Sequence, residues 1–247
     1  MRERLIPVVL MSNRRIVKTK GFKNPVYIGD PRNIIRIFSD FQVDELILHD
    51  IGVSRGDREI DFELLEEIAQ EARMPIAYGG GVNPENAGRI LSLGFEKIVL
   101  NSHAYANPFS ISECAKKFGS QAVAVAIDVR EKKGIYSCWS FGGKHREQVD
   151  PIVWAKESVS LGAGEIILTS IDREGSWQGV DLKLSKLMAS QLPVPLVIQG
   201  GIGNIGDVWK AIASGDASAV AAGSFFVFQK ENQGILISYP DSIELNG

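Results

Sequence analysis

Two segments of the chain are near copies of one another, and this duplication restricts the fold more than any other feature. Tyr78-Gly79-Gly80-Gly81-Val82 is followed by Asn101-Ser102, and Gln199-Gly200-Gly201-Ile202 by Gly223-Ser224. In each copy an apolar run ends in glycines, a helical stretch follows, and a second apolar run ends in a small polar residue. Gly81 and Gly201 are 120 positions apart and Ser102 and Ser224 are 122 apart. The chain is therefore expected to be a tandem of two similar halves, approximately 1–120 and 121–230. Glycines at the C-terminal end of a strand leave backbone N–H groups bare, and with the next helix N-terminus they form an anion cradle. Two copies imply two phosphate-sized subsites.

Short apolar runs alternate with amphipathic ones along the chain. Strands are predicted near 5–10, 45–50, 75–79, 97–101, 122–128, 165–170, 194–199 and 218–222. Helical patterns such as Phe62-Glu-Leu-Leu-Glu-Glu-Ile-Ala and Trp154-Ala-Lys-Glu-Ser-Val-Ser-Leu lie between them. Eight strands in strict β-α order, each nearly continuous in apolar residues, argue for a parallel sheet covered by helices. With half-repeats of this length, an α/β fold closed as a (β/α)8 TIM barrel is the economical solution, and a doubly wound open sheet is the runner-up. At 247 residues, 45% of them hydrophobic, the chain can bury such a core, and no Pro- or Ser-rich linker divides it, so a single domain over 1–247 is expected. An extra hairpin, Ile135-Tyr-Ser-Cys-Trp-Ser-Phe-Gly-Gly-Lys, follows the fifth strand, and the end after about Lys230 reads as weakly helical.

A net charge of −3 gives no general reason to bind nucleic acid or a membrane surface. The start, Met1-Arg-Glu-Arg-Leu-Ile-Pro, has no signal-peptide core, and no apolar run approaches the roughly 18 residues of a spanning helix, so a cytoplasmic location is expected. Cys114 and Cys138 are isolated and read as packing residues; neither a disulfide framework nor a thiolate metal site is suggested. His49, His103 and His145 have no spacing for a metal site or a triad and read as core or surface residues. No metal and no cofactor are expected.

In barrels of this kind chemistry belongs to the loops after the strands. Those ends are Leu10 to Ser12, Asp50, Gly79 to Gly81, Asn101 and Ser102, Asp128, Thr169 to Gly175, Gly200 and Gly201, and Gly223 and Ser224. One Gly-Gly alone means little more than a tight turn. Four cradle elements in symmetric positions favour phosphate binding. Asp128 ends the run Ala122-Val-Ala-Val-Ala-Ile-Asp; a carboxylate there is either a general acid or base with a raised pKa or a partner of neighbouring backbone amides. Strand 1 is the half-repeat partner of strand 5, and where strand 5 offers that carboxylate it offers Leu10 and Met11. The stretch Asn13-Arg-Arg-Ile-Val-Lys-Thr-Lys-Gly-Phe-Lys carries five cations and no acid. It reads as a cationic lid over an anion rather than a solvated loop. Trp139 and Trp177, in predicted loops, cover a ligand or simply pack.

Arg4-Leu-Ile-Pro, Val17-Lys18, Gly29-Asp30-Pro31, Asp44-Glu45-Leu46, Asp50-Ile51, Gly79-Gly80-Gly81, Asn101-Ser102, Ala126-Ile127-Asp128, Gly200-Gly201 and above all Gly162-Ala-Gly-Glu-Ile-Ile-Leu-Thr-Ser-Ile-Asp-Arg-Glu-Gly175 resemble the cyclase subunit of imidazole glycerol phosphate synthase over nearly the whole chain. The resemblance implies a (β/α)8 lyase subunit of a glutamine amidotransferase complex in histidine biosynthesis. A glutaminase partner would dock at the N-terminal face, and ammonia would pass through the barrel to a bisphosphate substrate at the other mouth. On this resemblance Asp128 matches a catalytic aspartate and Lys18 a lysine of the first loop. Gly81, Asn101 and Ser102 match one phosphate site and Gly175, Gly201, Gly223 and Ser224 the other, with Asp50, Gly80, Thr169, Glu174 and Gly200 as further substrate- or phosphate-binding residues. Glu174 stands where the family usually has aspartate. Arg4, Glu45, Lys97 and Glu165 match a charged ring at the bottom, read as an ammonia gate. The structural alternative is a salt-bridged plug.

The departure is Leu10, where the family's pattern has its other acid–base aspartate. Losing such a group typically removes a factor of about 10²–10⁴ in rate. A second resemblance accounts for the loss. Val17-Lys-Thr-Lys-Gly-Phe-Lys-Asn-Pro-Val-Tyr-Ile-Gly-Asp-Pro, Tyr78-Gly-Gly-Gly, Gly223-Ser-Phe-Phe-Val-Phe and Ile235-Leu-Ile-Ser-Tyr-Pro are similar to the glycosyl amidation-associated paralogues of surface-polysaccharide gene clusters. That similarity implies ammonia delivery, with a sugar amidotransferase as a further partner, for conversion of an acetamido group to an acetamidino group. The alternatives are an authentic cyclase working with Asp128 alone and a non-catalytic phosphate-binding scaffold.

Overall fold

The structure, a computed structural model, describes residues 4–231 and 233–240. Eight parallel strands form the barrel: β1 (Arg4–Ser12), β2 (Leu46–Asp50), β3 (Ile76–Gly79), β4 (Lys97–Leu100), β5 (Val123–Lys132), β6 (Glu165–Ser170), β7 (Leu196–Gln199) and β8 (Ala219–Ala222). Each pairs with the next, β8 pairs with β1 in register Arg4↔Ala219 to Pro7↔Ala222, and the sheet closes on itself. The fold is the TIM barrel expected from the alternation of runs, and the open doubly wound sheet is excluded by this closure.

Period-two alternation sorts each strand into two packing faces. Leu5, Val9 and Met11 of β1 and Val125 and Ile127 of β5 point outward into the large core shared with the helices. Ile6, Val8 and Leu10, with Ile47, Ala77, Val99, Ala124, Ala126, Ile167, Val197, Ala219 and Ala221, fill the barrel interior. The covering helices are set by local chemistry. Asp30 and Asp150 each cap a helix that opens on proline, Pro31–Asp40 and Pro151–Ser160, and accept two backbone N–H bonds apiece. The helix Phe62–Glu71 turns Leu64, Leu65 and Ile68 inward. Burying each such side chain contributes about 1.5–3 kcal/mol.

Two excursions rise over the C-terminal mouth, one after β1 and one from β5. The cationic stretch read as a lid is an antiparallel ribbon of Arg15–Lys20 and Lys23–Gly29, paired to β1 through Leu10↔Val17 and Met11↔Ile16. Ile16, Val17, Lys18 and Thr19 in the first strand and Ile28 in the second are buried, which a solvated loop would not allow. The hairpin expected at Ile135–Lys144 is present. Its strand Ile135–Ser140 pairs with an extension of β5, so Asp128 sits within a continuous strand where the chain leaves the barrel. After Lys230 the described residues form no helix; Phe228 bridges Ile235, and the Tyr239 hydroxyl donates to the Leu5 carbonyl at 3.0 Å. The rest of the stretch expected to be weakly helical, 241–247, lies outside the described residues, as do Met1 to Glu3.

Candidate functional site at the barrel mouth

The inward-facing side chains stack in layers along the axis, polar at both ends and apolar between them. At the N-terminal end Arg4 donates to Glu45 at 2.6 Å and to Glu165 at 2.5 Å. Lys97 donates to the same two carboxylates at 2.7 and 3.0 Å. Cations and anions alternate around the axis in a closed ring. Burial lowers the Arg4 pKa, but the hydrogen bonds and charges of Glu165 and Glu45 outweigh it and the guanidinium is held above its usual range.

At the C-terminal end the top layer is Leu10, His49, Gly79, Asn101, Asp128, Thr169 and Gln199, lining a cleft of about 670 Å³ that is partly open to solvent. Asp128 is bonded to both neighbours. Asn101 Nδ2 donates to its Oδ2 at 3.3 Å and to the Ala126 carbonyl at 3.0 Å, and Thr169, its partner in the β5–β6 register, hydrogen-bonds it as well. Burial pushes the Asp128 carboxyl up to about 7, against the pull of Thr169 and Asn101. Among the described residues neither a backbone amide nor an ion pair holds it. A carboxyl poised near neutrality can both take and give a proton. Burial lowers His49 to about 4, so the imidazole is neutral.

The two cradles flank this cleft. The first is lined by Ser54, Gly80, Gly81, Asn101, Ser102 and His103. Gly80 and Gly81 have φ of 141° and 62°. A Cβ on Gly80 would lie 2.8 Å from the Asp50 carbonyl oxygen, so the backbone takes this course only with glycine. Asn83 and Asn86 form a capping box on the following helix, and Asn86 Nδ2 ties back to the Gly81 carbonyl at 2.9 Å. The second cradle brings together Glu174, Gly175, Gly200, Gly201, Gly223 and Ser224 around a small recess. Its wall includes a carboxylate, which would repel an anion, but the Lys18 ammonium of the first ribbon is in ion-pair contact with Glu174. Thr19 also donates to Glu174 at 3.3 Å. Both Lys18 and Glu174 are buried, and burial pulls Lys18 down to about 7.

Three residues expected in the site already hold partners within the fold, and one of them is turned away from the mouth. Asp50 points out of the barrel: its carboxylate caps the short helix Ile51–Ser54 through Gly52 N and Val53 N, both at 3.2 Å, and pairs with Arg58 at 2.5 Å. Burial raises its pKa against these partners. Lys18 is turned into the ion pair with Glu174, and Thr19 beside it faces the cleft. Ser102 Oγ already accepts from Phe141 N at 2.9 Å and donates to Asn101 at 3.1 Å. The aromatic cover comes from Phe22 over the cleft and Phe141 over the first cradle, whereas Trp139 stacks under Arg130 and Trp177 lines neither. Thr19, Arg55 and Gln199 line the cleft without having been singled out, and so does His49, which the sequence reading takes as a core or surface residue. Parity would have found two of them: counting by twos from Glu45 and from Val197 reaches His49 and Gln199.

The family model described as histidine biosynthesis protein matches residues 4–232. The chain belongs to this family. Within the family it is similar to imidazole glycerol phosphate synthase HisF subunits. The Alkaliphilus metalliredigens subunit HisF is 35% identical, with 92% of this chain and 91% of that protein covered. A Pseudomonas aeruginosa protein provisionally named imidazole glycerol phosphate synthase subunit hisF2 is 45% identical, with 100% and 99% covered. A Vibrio vulnificus protein provisionally named subunit hisF3 is 40% identical, with 99% and 95% covered. Family membership agrees with the layered barrel. Among the described residues no group of three His, Cys, Asp or Glu side chains is placed to hold a metal ion, and no helix is long and apolar enough to cross a membrane.

Proposed function

We propose that the chain is the ammonia-conducting, HisF-like subunit of a glutamine-dependent system that converts acetamido to acetamidino groups on sugars of surface polysaccharide. A glutaminase docks at the N-terminal face and releases ammonia below the ring of Arg4, Glu45, Lys97 and Glu165. The ammonia rises along an interior of alanine, valine and isoleucine and emerges in the polar layer around Asp128, in the cytoplasm. A sugar amidotransferase is the further partner, and the glycine cradles hold a phosphorylated small molecule over the exit. The observation that carries this reading is the asymmetry of the two ends. A closed ring of four charges finishes one, while at the other the single carboxylate of the cleft stands across from a leucine.

Deletion of the gene in its host tests the proposal. Acetamidino sugars are expected to disappear from the surface polysaccharide while growth without histidine continues. The unmodified gene restores the modification, and a Lys97→Met variant restores it only with external ammonium. A histidine requirement in the deletion strain would refute it in favour of an authentic cyclase, the reading that retention of both cradles supports.

A further inference from the structure

The cleft contains a titratable side chain that nothing in the mechanism above uses. Period-two parity turns His49 into the top layer, where it is the Cα partner of Leu10 across the β1–β2 pair. The ring fits because its neighbour is a glycine: a Cβ on Gly79 would lie 2.5 Å from His49 Nδ1. Among the described residues neither ring nitrogen has a hydrogen-bond partner, so the neutral imidazole presents one bare donor and one bare acceptor to the cleft. Gln199, on β7, lines the same space. It is 8% exposed, and its Oε1 is buried with no partner. A buried polar atom without a partner is costly, and a ligand that bonds it recovers that cost.

Three charged or titratable side chains line the cleft: Asp128, His49 and Arg55. Arg55 Nη2 donates to the Phe22 carbonyl at 2.8 Å, and a guanidinium keeps its proton throughout the accessible pH range. Only Asp128 and His49 can exchange protons, and they reach the cleft from different sides of the barrel, β5 and β2.

We infer that His49 is a second proton-exchanging residue of the mouth, acting with Asp128 on an N–H or O–H group at the centre of a ligand whose two anionic ends occupy the two cradles, with Gln199 Oε1 accepting a hydrogen bond from that centre. The inference rests on the reading of the mouth as a ligand site. The imidazole nitrogen takes a proton from the ligand and becomes imidazolium, and the Asp128 carboxyl gives one and becomes carboxylate. The ligand's charge is unchanged. Return of the proton from imidazolium to carboxylate through water resets the pair. Each change favours the other, because the new carboxylate raises the basicity of the imidazole that shares its cleft.

The test is turnover of the bisphosphate substrate of the histidine-pathway cyclase with saturating ammonium salt, by the unmodified chain, His49→Asn and Asp128→Asn. Calorimetry measures bisphosphate affinity on the same samples. The expected result is slow turnover by the unmodified chain, a loss of about 100-fold or more in either variant, and affinities within about threefold of one another. Turnover unchanged in His49→Asn overturns the inference, as does an unmodified chain that binds the bisphosphate without converting it. Ammonia conduction survives both of those outcomes. Absence of bisphosphate binding removes the ligand site, and with it both this inference and the cradle part of the proposed function.

Discussion

Replacing Glu165 by glutamine removes one of the two carboxylates from the ring at the base of the barrel and leaves Arg4 and Lys97 facing Glu45 alone. Glu165 accepts from Arg4 at 2.5 Å and from Lys97 at 3.0 Å, and its side chain is 9% exposed. Removing one partner of a buried pair costs about 3–5 kcal/mol because the remaining charge is left uncompensated. Here the two stranded cations keep 23% and 20% of their side-chain surface in water, which lowers the expectation to about 2–3 kcal/mol. Each kcal/mol moves the midpoint of a chain this long by about 2–4 °C, so Tm is expected to fall by roughly 4–12 °C. Urea unfolding of the purified protein, followed by fluorescence and far-UV circular dichroism, measures the change. A second variant decides the cause: Lys97→Met added to Glu165→Gln returns the ring to one cation and one carboxylate, and is expected to recover more than half of the loss. A Glu165→Gln protein within about 0.5 kcal/mol of the unmodified chain would refute the reasoning, since the cations would then be solvated well enough to need no partner. Strict additivity in the double variant would refute it as well.

Asp128→Asn is expected to stabilise the fold with a defined pH dependence. The folded carboxyl is held up to about 7 by burial, so between pH 4 and 7 the native state keeps a proton that the unfolded chain has lost. Native stability therefore falls as pH rises through that window, by up to about 1.4 kcal/mol per pH unit, and levels off above it. The variant's advantage should be absent near pH 4, grow to pH 7 and stay constant beyond; a flat difference in urea titrations across that range would contradict the buried, neutral carboxyl. Gly201→Ala, at φ 101° with its Cβ driven into the Gly179 carbonyl, should lose inorganic phosphate affinity as well as stability. Gly134→Ala, at φ 80° with nothing within 4 Å of its Cβ, should cost only about 1 kcal/mol of backbone strain. Equal phosphate affinity in the two variants, read by calorimetry, would remove the second cradle from the site.

Local order of residues was enough to read the barrel. Eight apolar runs at regular spacing, the glycine pairs at their ends and the capping residues before the helices are properties of adjacent positions, and β1 to β8 fall within two residues of the predicted runs except where β1 and β5 run on into the excursions. Arg4, Glu45, Lys97 and Glu165 could be named as a set through the family resemblance, with which their places at the starts of strands are consistent. What adjacency does not contain is the direction of a side chain once the strands tilt and close. Asp50 and His49 are neighbours in sequence, yet the first is an outward helix cap held by Arg58 and the second faces the ligand cleft. Lys18 and Thr19 both reach Glu174, the first as an ion pair and the second as a hydrogen-bond donor that also lines the cleft.

The sequence by itself determined the strand order, the duplicated glycine ends and the absence of a carboxylate at position 10, because each depends only on which residue follows which. Closure of the sheet decided the rest. It brought together side chains from β2, β5 and β7 that are up to 150 residues apart, His49 and Gln199 among them. It also joined four charges from four strands into one ring, and withdrew Asp128 far enough from water to hold its proton near neutral pH. Burial and mutual distance arise only when the strands share an axis.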